Sequence, residues 1–550
     1  MPISSHSRRT GVLAGSAVVA LAAATVAGAG AASAHASPGP DHRLAPRTHF
    51  TMAADGSSGT RVGGEGIPNI DSVKKTIYAY YGDPTGTGQA NPSDSPYIRE
   101  LSAIIAKERR ALPRLLADAK RHHRQPAIVF DADDTTLWTY QMEVGDMKFV
   151  FTPAAQAPWV DGERFPATPG MVDFVNDAQA MGFTIFGLTG RSDSQKTHTV
   201  NNLAKVGYTA FTSDHYFTKY NSGTTPPAYL TCVAAPTCTT VEYKAGTRKH
   251  IEQDLGYDIV LNVGDQFSDL QGGYADHSLK LPNPTYYLPS PDLPGVDEPW
   301  LAPRTHFTMA PDGSSGLTAG GEGIPNIDSV KKTIYAYYGD PTGSGAANTT
   351  SSPYISELTK IVGQQRSRLL QTCATEASRG QHPAVVLDAD DTTLWGYEME
   401  VGAMKFVFNP TVQDTQWVQP QKFLATPGMV SLANDASAAG CTLVGLTGRN
   451  DNQKAATLGN LAKVGYTGFT SDNYFTKWVT GTTPPAYVTP ADCVKYPTCS
   501  TIEYKSTVRK HVERDLGYDV VANFGDQYSD LVGGSADRVV KLPNPMYYLP

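Results

Sequence analysis

Ala127-Ile-Val-Phe-Asp131-Ala-Asp133-Asp134-Thr135-Thr136 runs four apolar residues straight into a cluster of carboxylates. A short apolar run of this kind reads as a strand buried on both faces. The carboxylates then stand at its C-terminal end. Three further signals follow in order: Thr189-Gly190-Arg191, Lys244, and Gly264-Asp265-Gln-Phe-Ser-Asp269. Thr189 closes a second apolar run, Phe183–Leu188, and Gly264-Asp265 closes a third, Ile259–Val263. Between and around these runs, 169–181, 194–206 and 247–255 carry helical patterning. Strands that alternate with helices predict an α/β fold with a parallel sheet. In open sheets of that type, ligands bind at the C-terminal strand ends. The longer excursions 139–165 and 208–243 are rich in aromatic residues and proline. They read as small caps over the site or as surface loops.

The whole series occurs twice. Asp388-Ala-Asp390-Asp391-Thr392-Thr393 is followed by Thr447-Gly448-Arg449, Lys505 and Gly525-Asp526-Gln-Tyr-Ser-Asp530. Outside these signals, Ala45-Pro-Arg-Thr-His-Phe-Thr-Met returns at Ala302, and the stretch from Ile67 to Asp83 returns at Ile324 without a change. Leu281-Pro-Asn-Pro-Thr-Tyr-Tyr-Leu-Pro returns as Leu542-Pro-Asn-Pro-Met-Tyr-Tyr-Leu-Pro. The period far exceeds that of a solenoid repeat. It predicts two tandem domains, 45–290 and 302–550, each large enough for its own core. A proline-rich linker, 291–301, joins them.

The chain has 550 residues, too many for one ordinary domain. Its 40% hydrophobic and 18% charged content fits a soluble globular protein. A formal charge of -8 argues against a nucleic-acid partner. Arg8-Arg9, an apolar run rich in alanine, and Ala34-His35-Ala36 read as a signal peptide over 1–36, compatible with a twin-arginine type. The expected location is therefore outside the cell or in its envelope, with no membrane span after signal removal. Export permits disulfides. Cys232 with Cys238, and Cys493 with Cys499, stand in matching contexts and read as two small bridged loops. The spacing is not that of a zinc site, and no histidine pair lies near. Cys373 and Cys441 occur only in the second copy and could form a third bridge.

Asp131 and Asp388 have the placement of nucleophiles: a carboxylate at a strand end can attack phosphorus to form an aspartyl-phosphate. Asp133 and Asp390, two residues on, can protonate the leaving oxygen and later activate water. Paired carboxylates also suit Mg²⁺, a hard ion that prefers oxygen ligands. A calcium loop is the competing reading. It fails because Thr135, Thr136 and Met142 stand where that loop needs an acidic or amide residue, glycine and glutamate. Thr189 and Thr447 can hold a phosphoryl oxygen, with Gly190 and Gly448 allowing close backbone approach. Arg191 and Arg449 can pair with phosphate. Taken singly, a threonine at a strand end is more often a turn residue and an arginine is more often solvated. Lys244 and Lys505 can offset charge on the aspartate and phosphate, with Lys249 and Lys510 as rivals. Asp265 and Asp526 can reach the same metal as Asp131 and Asp388, and Asp269 and Asp530 can support them from behind.

Asp131-x-Asp133-x-Thr135, with Thr189, Lys244 and Gly264-Asp265-x-x-x-Asp269, resembles the haloacid-dehalogenase (HAD) superfamily. Glu-Tyr-Lys-Ser-Thr-Val-Arg-Lys and Gly-Asp-Gln-Tyr-Ser-Asp-Leu narrow the resemblance to its secreted acid phosphatases, a branch that includes plant vegetative storage proteins and bacterial class C-like enzymes. The resemblance implies two tandem Rossmann-like, HAD-type three-layer α/β domains with parallel sheets and small caps. It implies Mg²⁺ as cofactor and small-molecule phosphate monoesters as substrates. Asp131 and Asp388 are then nucleophiles and metal ligands. Asp133 and Asp390 are general acid/bases that also bind metal through their backbone carbonyls. Thr189, Lys244, Thr447 and Lys505 hold the phosphoryl group, and Asp265 and Asp526 ligate Mg²⁺. Some plant storage members lack the nucleophile; both copies here keep it. Two alternatives stay open: a storage or phosphate-ligand-binding protein on the same scaffold, and a phosphotransferase. No Arg-His-Gly stretch of histidine phosphatases is present. The one Cys-x5-Arg spacing, Cys373 to Arg379, has no glycine to form a phosphate cradle.

Overall fold

The carboxylates of the opening stretch do stand at a strand end, directly after Gln125–Phe130. In chain order the first repeat holds β1 (His49–Thr51), α1 (Ile70–Tyr81), α2 (Pro96–Arg121), β2 (Gln125–Phe130), α3 (Pro153–Asp161), α4 (Met171–Met181), β3 (Thr184–Ser192), α5 (Lys196–Lys205), β4 (Tyr216–Lys219), α6 (Thr240–Gln253), β5 (Tyr257–Gly264), α7 (Phe267–Leu270) and β6 (Ser278–Lys280). The second holds β7 (His306–Thr308), α8 (Ile327–Tyr338), α9 (Pro353–Ser378), β8 (Pro383–Leu387), β9 (Leu394–Trp395), α10 (Pro410–Val412), β10 (Leu424–Ala425), α11 (Met429–Ala438), β11 (Thr442–Asn450), α12 (Lys454–Lys463), β12 (Tyr474–Lys477), α13 (Thr501–Arg514), β13 (Asp519–Gly525), α14 (Tyr528–Leu531) and β14 (Val539–Lys541). This computed structural model describes residues 49–51, 67–288, 306–308 and 324–549, with isolated positions between 290 and 301. The signal segment read at 1–36 lies outside the described residues.

Each repeat builds one five-stranded parallel sheet, ordered β4-β3-β2-β5-β6 and β12-β11-β8-β13-β14. In the first, Phe130 lies opposite Gly187 on β3 and Val263 on β5. That register brings Asp131, Thr189 and Asp265 to one edge. Alternate residues of β2 serve opposite faces, as the pleat requires. Ile128 and Phe130 join a core that includes Leu112 of α2 and Phe174 of α4. Ala127 and Val129 join one that includes Tyr243 and Ile251 of α6. The result is helix, sheet, helix in three layers. The second repeat divides the same way, Val385 and Leu387 against Ala384 and Val386.

Most helix boundaries agree with the patterning to within two residues, but α6 does not. It begins at Thr240 rather than at 247, because Thr239 and Glu242 form a capping box. Lys244 therefore sits within the helix rather than ahead of it. The excursion 139–165 rises from a bridge between Leu137 and Ala167, carries a wide helical turn at Gln141–Asp146, and includes α3. Its counterpart rises from the antiparallel pair β9 and β10. The excursion 208–243 only partly leaves the core: Tyr216–Lys219 returns to the sheet as its edge strand, alternating buried and half-buried positions.

All three disulfides are formed: Cys232–Cys238, Cys493–Cys499 and Cys373–Cys441. With Cys232 and Cys238 joined to each other, neither sulfur is a thiolate for zinc. In the linker, Leu301 packs on Phe267 and Leu270, and Glu298 accepts from the Gly272 amide at 2.7 Å. No described helix is long and apolar enough to cross a membrane.

The described residues of the two repeats lie in one compact unit and interlock. β1 pairs antiparallel with β7, and α1 packs on α8. The core layers that contain α2 and α9 merge into one hydrophobic cluster across the seam. At the start of α1, the Ile70 amide donates to the carbonyl of Pro545 at 2.9 Å, and Asp71 accepts from the Tyr548 amide at 3.2 Å. At the start of α8, Ile327 donates to Pro284 at 3.0 Å, and Asp328 accepts from Tyr287 at 3.1 Å. Each helix thus abuts the turn after the last sheet strand of the other repeat.

Candidate active sites

Asp131 continues β2 by one ladder bond, its amide donating to Val263 at 3.1 Å, and its carboxylate is buried. Lys244, on the first turns of α6, reaches it: Nζ stands 2.6 Å from Asp131 Oδ1 and 2.5 Å from Asp269 Oδ1. Neither rival lysine, Lys249 or Lys510, makes this contact. Burial alone would lower the Lys244 pKa, but the two carboxylates more than reverse it, and the ammonium keeps its proton. Burial pushes the Asp131 carboxyl up; Lys244 opposes it, and Asp269, Asp265 and Asp133 add to it.

Asp265 ends β5 inside a ring of donors. Gln266 Nε2 lies at 2.7 Å, Asn283 Nδ2 at 2.8 Å, Tyr286 OH at 3.1 Å and Thr135 Oγ1 at 3.2 Å. Burial and Asp269 still push Asp265 up to about 6, against Asn283 and Gln266. Gly264 is required by packing here: a Cβ at that position would lie 2.4 Å from the Cβ of Asp269. Asp269 is fixed further by the Gln266 amide at 2.9 Å. Arg248, fully buried, donates to the Asp269 carbonyl at 2.6 Å.

Oxygen atoms of Asp131, Asp265 and Asp269 all lie within 4.8 Å of one another, as do those of Asp388, Asp526 and Asp530. A buried, all-carboxylate set with one lysine retains excess negative charge. It fits a small divalent cation of the hard type. Asp133 stands outside this trio. Its carboxylate is gripped by Arg191, whose Nη2 and Nε lie 2.6 and 3.1 Å from the two oxygens. Arg191, expected on substrate phosphate, is thus buried and committed to Asp133, with Nη1 on Thr199 at 3.0 Å and Phe165 beneath the guanidinium. The Thr189 hydroxyl accepts from the Arg191 amide at 3.2 Å. Space is open beside Gly190 and Gly448, where a Cβ would meet nothing within 4 Å.

The second repeat reproduces the geometry. Lys505 lies 2.6 Å from Asp388 and 2.5 Å from Asp530, and Arg449 holds Asp390 at 2.6 and 3.1 Å. Asp526 takes Gln527 at 2.7 Å and Asn544 at 2.8 Å. The Arg449 amide donates to Thr447 at 3.2 Å. The copies differ beside the next aspartate. Asp134 accepts from both the amide and the hydroxyl of Thr139, whereas Asp391 meets Gly396 and accepts only from its amide. Burial pushes Asp134 up to about 8, and drives Asp391 well above the usual carboxylate range.

Residues absent from the sequence reading are Gln266, Arg248, Asn283 and Tyr286. Asn283 and Tyr286 belong to the repeated Leu-Pro-Asn-Pro string, whose recurrence was the signal for them.

A model of the HAD superfamily, subfamily IIIB (acid phosphatase), matches residues 62–289 and 346–550. Vegetative storage protein 1 of Arabidopsis thaliana is 28% identical over 227 residues, 41% of this chain and 75% of that protein. Acid phosphatase 1 of Solanum lycopersicum is 32% identical over 171 residues, 29% of this chain and 58% of that protein. The class C acid phosphatase from Bacillus anthracis is 20% identical, with a TM-score of 0.26, over 37% of this chain and 72% of that one.

Proposed function

The chain belongs to subfamily IIIB of the HAD superfamily, the acid phosphatases, and we propose that each repeat hydrolyses phosphate monoesters, with Mg²⁺, after export. One observation carries the reading: a buried strand-end aspartate bridged by lysine, beside a second carboxylate fixed by arginine, occurs twice with the same distances.

Asp131 attacks the phosphorus of the ester, and the bond to the alcohol oxygen breaks. Asp133 gives that oxygen its proton, and the alcohol leaves. The phosphoryl group now rests on Asp131 as an acyl phosphate. Asp133, ionised, takes a proton from water, whose oxygen attacks phosphorus and restores the Asp131 carboxylate. Inorganic phosphate departs. Lys244 neutralises charge on the nucleophile and the phosphoryl oxygens, and Thr189 offers its hydroxyl to them. Asp131, Asp265 and the Asp133 carbonyl would hold Mg²⁺, with Asp269 behind them. Bound there, the ion supplies Lewis-acid stabilisation of phosphoryl charge. Export is supported by the 1–36 segment and agrees with three disulfides.

The test is p-nitrophenyl phosphate hydrolysis by the mature protein with Mg²⁺ and with EDTA, alongside Asp131→Asn, Asp388→Asn and the double variant. Metal-dependent turnover lost only in the double variant is the expected result. Wild-type protein inactive on this ester and on a panel of natural phosphomonoesters would reject hydrolysis.

A further inference from the structure

We infer that each repeat positions the metal ligand of the other, through Asn326 acting on Asp265 and Asn69 acting on Asp526. The inference rests on the proposed metal role of those two aspartates.

The contact runs through the turn that follows each sheet. Asn326 precedes α8 in the second repeat, yet its Nδ2 donates to carbonyls of the first: Asn283 at 3.0 Å and Tyr286 at 2.6 Å. Those two residues turn their side chains the other way. Asn283 Nδ2 and Tyr286 OH both donate to Asp265 Oδ2. The asparagine links recur in reciprocal form. Asn69 Nδ2 donates to Asn544 at 3.1 Å and Tyr547 at 2.6 Å, and Asn544 Nδ2 donates to Asp526.

Its own repeat ties the turn at its ends: the Leu281 amide donates to Gly264 at 2.9 Å, and Gln266 accepts from the Leu288 amide at 3.0 Å and donates to the Tyr286 carbonyl at 3.4 Å. Residues 281–288 lie outside any helix or strand, as do 542–549. Asn283 ties it internally, accepting from the amide and hydroxyl of Thr285. Between those ends its backbone meets the start of α8: Asn326, the Ile327 amide and the Asp328 carboxylate. Asn326 is also spent on both sides. Its Oδ1 caps α8 by accepting from the Asp328 amide at 3.0 Å, while its amide crosses the seam. Both asparagines are buried, with 5% and 6% exposure for Asn69 and Asn326. A carboxylate that must present an oxygen to a metal depends on the donors that fix its orientation, and losing such a partner weakens metal binding about 10- to 100-fold.

Serine separates the two jobs of each asparagine, because it caps a helix nearly as well but carries no amide to cross the seam. Calorimetric titration of the full chain with Mg²⁺ reads each site alone when the other is removed by Asp526→Asn or Asp265→Asn. In the Asp526→Asn background, Asn326→Ser should weaken Mg²⁺ at the first site about 10-fold or more, and Asn69→Ser should leave it unchanged. In the Asp265→Asn background the two serine variants should exchange effects. Weakening confined to a variant's own repeat, equal weakening of both sites, or no weakening in a protein that takes up two ions overturns the inference. Wild-type protein that takes up no Mg²⁺ overturns the metal reading and the inference with it.

Discussion

The guanidinium of Arg191 holds both carboxylate oxygens of Asp133, at 2.6 and 3.1 Å, and Arg449 holds Asp390 at the same two distances. A forked grip fixes the plane of a carboxylate as well as its place. The proposed proton donor is therefore aimed rather than merely present.

Arg191→Ala in an Asp388→Asn background should lower kcat about 10²- to 10⁴-fold, the usual worth of a positioned acid. Arg191→Lys should recover little, because one ammonium cannot span both oxygens. Steady-state kinetics on p-nitrophenyl phosphate decide it. A raised KM with kcat preserved would instead place Arg191 on the substrate.

Lys244 compensates two buried carboxylates at once. Lys244→Met should destabilise the fold by about 3–5 kcal/mol, since removing one partner leaves buried charge uncompensated. Adding Asp269→Asn should return part of that loss. Urea unfolding of the single and double variants measures both, and an unchanged midpoint in Lys244→Met would contradict the account.

The three disulfides close loops of unequal length, with sequence separations of 68 for Cys373–Cys441 and 6 for each of the others. Chain-entropy reasoning then assigns about 4 kcal/mol to the long loop and about 2 kcal/mol to each short one. Paired cysteine-to-serine variants, compared by chemical denaturation, should rank in that order. Peptide mapping under non-reducing conditions should recover all three links.

Glu400 sets a pH dependence. Burial first, then Asp71 and Asp390, push its carboxyl from 4.5 up to about 8, with Lys74 opposing. The folded state thus holds the proton more tightly than the unfolded chain. Stability from the neutral carboxyl is fully present below about pH 4.5 and is lost as pH rises to about 8. Glu400→Gln removes the titration. Its stability relative to wild type should rise between pH 5 and 8 by a few kcal/mol, measured by denaturant unfolding in EDTA. A constant difference across that range would refute the assignment.

The candidate site residues were legible because they stand where short apolar strands end, and those strands pair in parallel. Asp131, Thr189 and Asp265 needed only that. Lys244 needed more: its helix begins seven residues before the patterned stretch, and the capping pair Thr239 and Glu242 was the readable cue. Arg191 could not be separated from a phosphate ligand, since the same side chain suits either carboxylate or phosphate. Edge strands β4 and β6 are too short for periodicity to register. Cys373 and Cys441 meet only through the packing of α9 on α11, since Cys441 follows α11 closely. The cross-seam roles of Asn69 and Asn326 left no local trace, for their partners stand in the other repeat, 475 and 478 residues from Asn69 and 43 and 40 from Asn326.

A duplicated gene ordinarily leaves one copy free to drift. Here the 17 residues from Ile67 to Asp83 are the same as those from Ile324 to Asp340. They form the helices whose first residues press on the opposite half. A mutation in that stretch is therefore felt by a sister domain that does not carry it.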